Sequence, residues 1–183
     1  MLRKWKLLSS KIGYSHPFFK VREDHVITPT GLEINDYTVW ESGDVAQVIP
    51  VLPNGKLLLV EQYKHGLGEM IVEFPGGFIE NAELPEVAAF RELSEETGYT
   101  STDVHKLGTF IHHPTKESGK LHLYVAKNIQ KQAKKLAHDS TEDIRLLSVG
   151  SDELFKKIQS GEVLQSGSML GLLLYLQEEQ NAH

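Results

Sequence analysis

The segment GGFIENAELPEVAAFRELSEETGY, residues 76–99, constrains this chain more than any other part of its sequence, because it sets a helix pattern between two glycine stops. Pro85 suits the first turn of a helix, where a missing N–H costs little. Gly98 suits the left-handed residue that follows a last helical turn. The segment therefore predicts an α-helix over residues 86–97.

One face of this predicted helix is acidic. At about 100° of rotation per residue, positions spaced i, i+3 and i+4 share one sector, and the residues with this spacing are Glu92, Glu95 and Glu96. The opposite side carries the apolar stripe that we expect to dock on a sheet, which consists of Val87, Phe90 and Leu93. Ala88 and Ala89 flank the acidic sector, and their small side chains let another backbone segment approach it.

The acidic face needs positive charge, because like charges at this spacing destabilise an isolated helix by about 0.2–0.5 kcal/mol per pair. Arg91 can hold Glu95 four residues later, but one arginine does not neutralise three carboxylates. Mg²⁺ and Mn²⁺ prefer carboxylate and carbonyl oxygens. A solvated polar face is the alternative, and the adjoining FPGGF turn, which would bring a backbone carbonyl to the same face, favours a metal site.

The rest of the chain predicts mostly strands. FKVREDHVITP and LEINDYTVW, around a Thr30–Gly31 turn, predict a partly buried N-terminal β-hairpin. Pro53, Asn54 and Gly55, between two apolar runs, predict another hairpin. Further strands are predicted in EMIVEFPGGFIE, HKLGTFIHH, KLHLYVAKN and DIRLLSV. Residues 130–141 are predicted to form a surface loop. Helices are predicted in SDELFKKIQSG, with Ser151 as N-cap, and at residues 165–180. This order predicts an α+β sandwich with a mixed sheet.

Composition excludes several classes of protein. At 183 residues, 40% of them hydrophobic, the chain can bury the core of one domain with a small appendage. A net charge of -6 disfavours a nucleic-acid partner. The absence of cysteine excludes disulfides and suits a reducing cytoplasm, where we expect the protein to work. The longest apolar run, MLGLLLYL, is too short to cross a bilayer of about 30 Å, and no signal-peptide pattern is present, so we expect no membrane partner.

The spacing of Gly77, Glu83, Arg91-Glu92-Leu93, Glu95-Glu96 and Gly98 resembles the signature of the Nudix hydrolases, with every charged and glycine position filled. Only Tyr99 departs, where that family usually has an aliphatic residue. The resemblance implies the Nudix α/β/α sandwich and hydrolysis of a nucleoside diphosphate linked to another group. We expect a Nudix domain over residues 43–183 and a β-rich dimerisation segment over residues 1–42.

The resemblance also implies roles for individual residues. The metal ligands it implies are Glu92, Glu96 and the main-chain carbonyl of Gly76, with Glu95 as a further ligand or the group that orients a metal-bound water. Arg91 would orient the glutamates, and Glu83 would be structural. The expected cofactor is Mg²⁺, with Mn²⁺ as an alternative.

Residues outside this signature resemble those of one branch, the ADP-ribose and nucleoside-diphosphate-sugar pyrophosphatases. Pro114 resembles the proline that marks this branch, although it would also suit the end of a strand. Lys64 stands where the branch more often has arginine, and lysine lacks the bidentate fork of arginine. Glu73 would bind a ribose hydroxyl or pair with Lys64, and Trp40 is a further expected substrate contact.

Enzymes of this kind commonly take a catalytic base from a loop late in the chain. The predicted base here is Glu142, which follows the polar run at residues 130–141. Asp143 and Glu117 are alternatives, and Glu142 would equally suit a solvated charge or a helix cap.

The N-terminal segment carries more aromatic side chains than an isolated hairpin needs: Trp5, Tyr14, Phe18, Phe19, Tyr37 and Trp40. Since members of this branch usually form homodimers through their N-terminal strands, the resemblance implies a homodimer; alternatively, the segment covers an open sheet edge. The implied activity is Mg²⁺-dependent hydrolysis of ADP-ribose or a related nucleoside-diphosphate sugar to a nucleoside monophosphate and a sugar phosphate. The alternatives are a Nudix hydrolase for another nucleoside diphosphate derivative and a Nudix-fold sensor that does not cleave its ligand.

Overall fold

The computed structural model describes residues 2–132, 143–162 and 165–181. They divide into two compact units: an N-terminal unit of Met1–Asp44 with Ile111–Lys120, and a larger unit of Val45–Phe110 with Leu121–His183. Residues 111–120 thus group with the N-terminal segment although they lie far from it in sequence. The domain division at residues 42 and 43 stays a prediction.

The N-terminal unit contains an antiparallel sheet of three strands, β1 (Lys6–His16), β2 (Phe19–Ile27) and β3 (Glu33–Ser42), in that order. Strands β2 and β3 form the predicted hairpin. Strand β1 was not predicted, and all of its residues are exposed. A strand without a buried face shows no alternation of apolar and polar residues, which is the signal that predicts strands.

The remaining strands are β4 (Val45–Pro50), β5 (Leu57–Lys64), β6 (Glu69–Glu73), β7 (Gly76–Phe78), β8 (Tyr99–Thr100), β9 (Asp103–Ile111), β10 (Lys120–Lys127), β11 (Gln130–Lys131) and β12 (Ile144–Val149). They form sheets with the orders β7-β4-β10-β9, β12-β5-β6 and β11-β8. Strand β4 runs parallel to β10 and antiparallel to β7, so the predicted mixed sheet is confirmed.

The helices are α1 (Pro85–Glu92), α2 (Ser151–Gln159) and α3 (Ser166–Asn181). Helix α1 packs against Ala46 and Val48 of β4, whereas α2 and α3 pack in a second cluster with Ile49 and Val51. Because β4 is buried on both faces, its sequence is continuously apolar apart from Gln47. The larger unit is therefore the predicted α/β/α sandwich. Among the described helices, none has the length and apolarity needed to span a membrane.

The predicted Pro53-Asn54-Gly55 hairpin is wrong about strand pairing. The turn is present, with Gly55 at a φ of 78° and a hydrogen bond of 2.9 Å from the Leu52 N–H to the Lys56 carbonyl. Strands β4 and β5 nevertheless belong to different sheets and are joined only by an isolated bridge between Val51 and Leu57. Strand β4 is flanked by β7 and β10 instead, which places it inside its sheet.

The helix predictions need two corrections. Val87 is 50% exposed, so the predicted apolar stripe is wrong at this position; α1 docks through Ala88 and Ala89, which are fully buried. Their small size lets the helix backbone approach β4 closely. The N-cap of α2 is Gly150, and the predicted cap Ser151 is the first helical residue.

Candidate active site

The FPGGF turn places two glycines where no side chain fits. Gly76 pairs with Gln47 of β4, and a Cβ at Gly76 would lie 2.6 Å from the Ala46 carbonyl oxygen. A Cβ at Gly77 would overlap the Glu92 carboxylate. The first glycine therefore lets β7 pack on β4, and the second lets the Glu92 carboxylate lie against the β7 backbone.

The acidic helix is shorter than predicted, because α1 ends at Glu92 and a π-helical turn, Leu93–Thr97, follows it. The Thr97 hydroxyl donates to the Leu93 carbonyl and accepts from the Tyr99 N–H at 3.1 Å. Gly98 ends the turn at a φ of 73°, as predicted. A π-helical turn is wider than an α-helical one and is frequent at functional sites, and here it breaks the uniform helical spacing on which the predicted acidic face was based.

Arg91 holds three carboxylates at once. Its Nε and Nη2 donate to the two Glu83 oxygens, both at 3.0 Å, and its Nη1 donates to Glu92 at 2.8 Å and to Glu95 at 3.1 Å. Nη2 also donates to the Phe78 carbonyl at 3.0 Å. The hydrogen bonds from Arg91 lower the pKa of Glu83 below its ordinary value, although burial opposes them. Arg91 thus links Glu83, Glu92 and Glu95, and the orienting role of Arg91 and the structural role of Glu83 stay predictions.

Glu96 points into the protein and is 2% exposed. Its Oε2 accepts from the Gly76 N–H at 2.9 Å, and its Oε1 accepts from Gln62 Nε2 at 3.3 Å. Burial raises the pKa of Glu96 to about 8, against the hydrogen bond from Gly76, and the charges of Glu92 and Glu73 raise it further. The site thus contains a buried carboxyl group whose charged form is disfavoured by its surroundings.

The predicted pair of Lys64 and Glu73 forms at 2.8 Å. Gln62, which sequence reasoning missed, lies beside it and donates from Nε2 to Glu73 at 3.2 Å and to Glu96 at 3.3 Å. Gln62 and Lys64 are two residues apart on β5 and therefore share one face of the strand. A polar residue on the same face as a predicted substrate contact was the signal that could have identified Gln62.

In residues 2–132, 143–162 and 165–181, no three or more His, Cys, Asp or Glu side chains are grouped so as to hold a metal ion. Glu92 and Glu95 turn to Arg91, and Glu96 turns to Gly76. The donor chemistry of Glu92, Glu95 and Glu96 still fits a hard divalent cation, because such ions prefer carboxylate oxygens. A cation would also stabilise the charged form of Glu96, which burial disfavours. The metal-ligand roles of these residues and of the Gly76 carbonyl stay predictions.

The structure brings the other two predicted substrate contacts together in the N-terminal unit. Trp40 and Pro114 line a cavity of about 360 Å³ together with Lys116 and Glu117. The backbone N–H of Trp40 donates to the Lys116 carbonyl at 2.6 Å. This bond holds the loop of residues 114–118 against β3. A neighbouring cavity of about 390 Å³ in the same unit is lined by Trp5 and Tyr37, among others.

The predicted catalytic base, Glu142, lies outside the described residues. Of the alternatives, Asp143 is exposed directly before β12. Glu117 belongs to the N-terminal unit, where it accepts a hydrogen bond from the Ser42 hydroxyl at 2.8 Å. The identity of the base stays a prediction.

Residues 42–162 match the family model of the NUDIX domain. With this match over more than half of its length, the chain belongs to the Nudix family, and the predicted family is confirmed. Residues 5–40, which precede that match, match a separate model, the nucleoside diphosphate sugar hydrolase N-terminal domain.

The chain is also similar to individual proteins. The chain is 33% identical over 174 residues, 94% of each chain, to the methanol dehydrogenase activator of Bacillus methanolicus. It is 32% identical over 158 residues to the ADP-ribose pyrophosphatase of Bacillus subtilis (strain 168), covering 86% of this chain and 85% of that one. A crystal structure of an ADP compounds hydrolase aligns with a TM-score of 0.86 at 19% identity, covering 100% of this chain and 97% of that one, which confirms the fold.

Proposed function

We propose that this protein hydrolyses the pyrophosphate of ADP-ribose or a related nucleoside-diphosphate sugar, giving a nucleoside monophosphate and a sugar phosphate. The observation that carries the proposal is the set of glutamates 92, 95 and 96 held by Arg91 and the Gly76 N–H. The similarity to the ADP-ribose pyrophosphatase of Bacillus subtilis and the match of residues 5–40 support the substrate class.

The reaction would use a divalent cation, Mg²⁺ or Mn²⁺, which Glu92, Glu96, the Gly76 carbonyl and Glu95 would hold. When bound, such an ion neutralises pyrophosphate oxygens and lowers the pKa of a water molecule. Arg91 keeps Glu92 and Glu95 in fixed orientations, and the Gly76 N–H does the same for Glu96.

Substrate recognition is assigned to Lys64, Glu73, Trp40 and Pro114. The Lys64 side chain is 39% exposed, so its ammonium group can leave Glu73 for a phosphate oxygen. Glu73 would then accept a hydrogen bond from a ribose hydroxyl. Trp40 is 42% exposed in its cavity with Pro114 and offers a flat apolar surface to a nucleobase. Glu142 is the proposed catalytic base, with Asp143 and Glu117 as alternatives.

We also propose that the protein is a cytoplasmic homodimer without a nucleic-acid partner. Strand β1 exposes Leu7, Leu8, Ile12 and Tyr14, which are each between 41% and 56% exposed. It also forms an edge of its sheet, and edge strands readily pair with another chain. The occupant that best fits this apolar strand is the N-terminal unit of a second copy.

The decisive experiment measures phosphate-monoester release from ADP-ribose and a panel of nucleoside-diphosphate sugars, dinucleoside polyphosphates and oxidised nucleotides, with and without Mg²⁺. Wild type is compared with Glu96→Gln and with Glu86→Gln, which alters an exposed glutamate of α1. We expect metal-dependent turnover that falls about 10²–10³-fold in Glu96→Gln and is unchanged in Glu86→Gln. Turnover confined to another nucleotide class would favour the alternative hydrolase, and binding without turnover would favour a sensor.

A second candidate function is activation of an alcohol dehydrogenase, which the relative named methanol dehydrogenase activator suggests. The same preparations are added to an alcohol dehydrogenase assay. Stimulation by wild type but not by Glu96→Gln would assign the activation to the same site.

A further inference from the structure

We propose that Gln47 and Ser168 are positioning residues of the active site: together they hold the backbone of Phe74 and so set the position of the Gly76 N–H against Glu96. The inference rests on the proposed function, because it concerns the residue assigned there as a metal ligand. Neither side chain belongs to the Nudix signature segment, and both come from elements on other parts of the larger unit, β4 and α3.

The two side chains satisfy both backbone groups of Phe74. The Ser168 hydroxyl accepts from the Phe74 N–H at 2.8 Å, and Gln47 Nε2 donates to the Phe74 carbonyl at 2.9 Å. Gln47 Nε2 also lies 3.2 Å from the Ser168 hydroxyl, which links the two. All three residues are at most 3% exposed, so water does not substitute for a lost contact.

From Phe74 the constraint continues along the chain to the glutamate. The Pro75 carbonyl accepts from the Val48 N–H at 2.9 Å, and Gly76 pairs with the Gln47 backbone. The next group is the Gly76 N–H, which donates to Glu96 at 2.9 Å. Residues 74–76 are thus fixed from the Phe74 end by Gln47 and Ser168, and a shift of Phe74 is passed on to the Gly76 N–H.

The amide of Gln47 is maintained at a cost that packing does not explain. Within the described residues, its Oε1 is buried and has no hydrogen-bond partner, which costs about 1–3 kcal/mol for such a group. A Cβ at Gly167 would lie 2.5 Å from this oxygen, so α3 approaches Gln47 at a residue without a side chain. An apolar residue of similar size would avoid the cost, whereas only the amide supplies the donor to Phe74.

The test uses Ser168→Ala and Gln47→Met, which keep size and remove the polar groups. The matched control is Ser101→Ala, since the Ser101 hydroxyl is also buried and bonds the Lys127 carbonyl at 2.5 Å and the Asp103 N–H at 2.9 Å, without contact to the turn. The readouts are hydrogen exchange of the Gly76 amide in metal-free protein, the Mn²⁺ dissociation constant, and kcat and KM for ADP-ribose.

We expect Gly76 exchange about tenfold faster and Mn²⁺ binding about 10-fold weaker in both test variants, with kcat lowered and KM within about twofold of wild type. Ser101→Ala should lose stability and leave all three readouts unchanged. Wild-type values in Ser168→Ala and Gln47→Met, or equal changes in Ser101→Ala, would overturn the inference. Because Gly76 exchange needs neither metal nor substrate, a wild type without hydrolytic activity would refute the proposed function and leave this test standing.

Discussion

Glu96 and Gly76 are joined by a hydrogen bond of 2.9 Å from the Gly76 N–H to the Glu96 carboxylate, although they lie 20 positions apart in sequence. The bond connects the end of the acidic helical segment to the glycine turn that precedes it. Gly77 contacts Glu92 from the same turn. The turn and the helical segment therefore act as one structural unit, and a change in either should alter the placement of the glutamates.

Gly77→Ala should displace the Glu92 carboxylate, because the new Cβ would overlap it. We expect Mn²⁺ affinity and kcat/KM to fall about 10–100-fold, as is common when the orientation of a metal ligand is lost. Isothermal titration and steady-state kinetics measure both. Gly66→Ala is the control, because a Cβ there meets nothing within 4 Å. Equal behaviour of the two variants would show that the close approach to Glu92 has no functional role.

Arg91→Lys keeps the charge and removes the bidentate pairing with Glu83. We expect the free energy of unfolding to fall by about 1–3 kcal/mol, because partly buried carboxylates lose their donors, and kcat/KM to fall about 10–100-fold. Denaturant unfolding and kinetics test this. Arg145→Lys is matched to it: Arg145 pairs with Glu61 but is 68% exposed, so its effect should stay below about 1 kcal/mol. An Arg91→Lys variant with wild-type kinetics would refute the orienting role.

Asp24 should make the N-terminal unit acid-sensitive. Burial alone would raise the pKa of Asp24, but hydrogen bonds from Arg22 and Ser10 outweigh it and hold the pKa below its ordinary value. A depressed pKa stabilises the fold above the unfolded pKa of about 3.9, and this contribution is lost as the pH falls through the folded value. Asp24→Asn should therefore be less stable than wild type at pH 7, by about 1–3 kcal/mol, with a smaller difference near pH 3.

Tryptophan fluorescence during urea unfolding reports on this unit, because Trp5 and Trp40, the two tryptophans of the chain, both belong to it. Asp36→Asn alters an exposed aspartate of β3 and is the control. A difference between wild type and Asp24→Asn that is independent of pH would contradict the prediction.

Ile12→Lys should convert the proposed homodimer to a monomer, since Ile12 is 50% exposed on β1 and a charge there disfavours apolar contact with a second copy. Sedimentation velocity at micromolar concentration measures the change. Leu32→Lys places the same charge at a residue that is 62% exposed outside the strands, and it should leave the dimer intact. A monomeric wild type would refute the proposal at once.

The family and the local contacts of Arg91 could be predicted from sequence, because they depend on the spacing of residues within one segment. The sandwich could be predicted from the order of strands and helices along the chain. The π-helical turn could not, since it depends on which donor reaches the Leu93 carbonyl. Here that donor is the Thr97 hydroxyl, and residue spacing does not specify this choice. The Lys64–Glu73 pair was one of two roles predicted for Glu73; the other was binding of a ribose hydroxyl.

Contacts between distant segments were the main omission. Gln62 donates to Glu96 from strand β5, and Ser168 reaches Phe74 across 94 positions in sequence. Such pairings depend on how strands are ordered in space, and the Pro53-Asn54-Gly55 turn misled on that order. A turn signal predicts that the chain reverses direction, but the neighbours of β4 are decided by burial on both of its faces.

The parallel pairing of β4 with β10 also bears on how the protein is synthesised. Val45 is paired with Leu121, so on the ribosome β4, β7 and α1 emerge well before the strand that completes their sheet. Until then, the apolar strand β4 lacks its partner β10. Pairings between segments so distant in sequence form slowly. Nascent chains that stop before Leu121 should therefore engage chaperones, even though they already carry the whole glutamate segment.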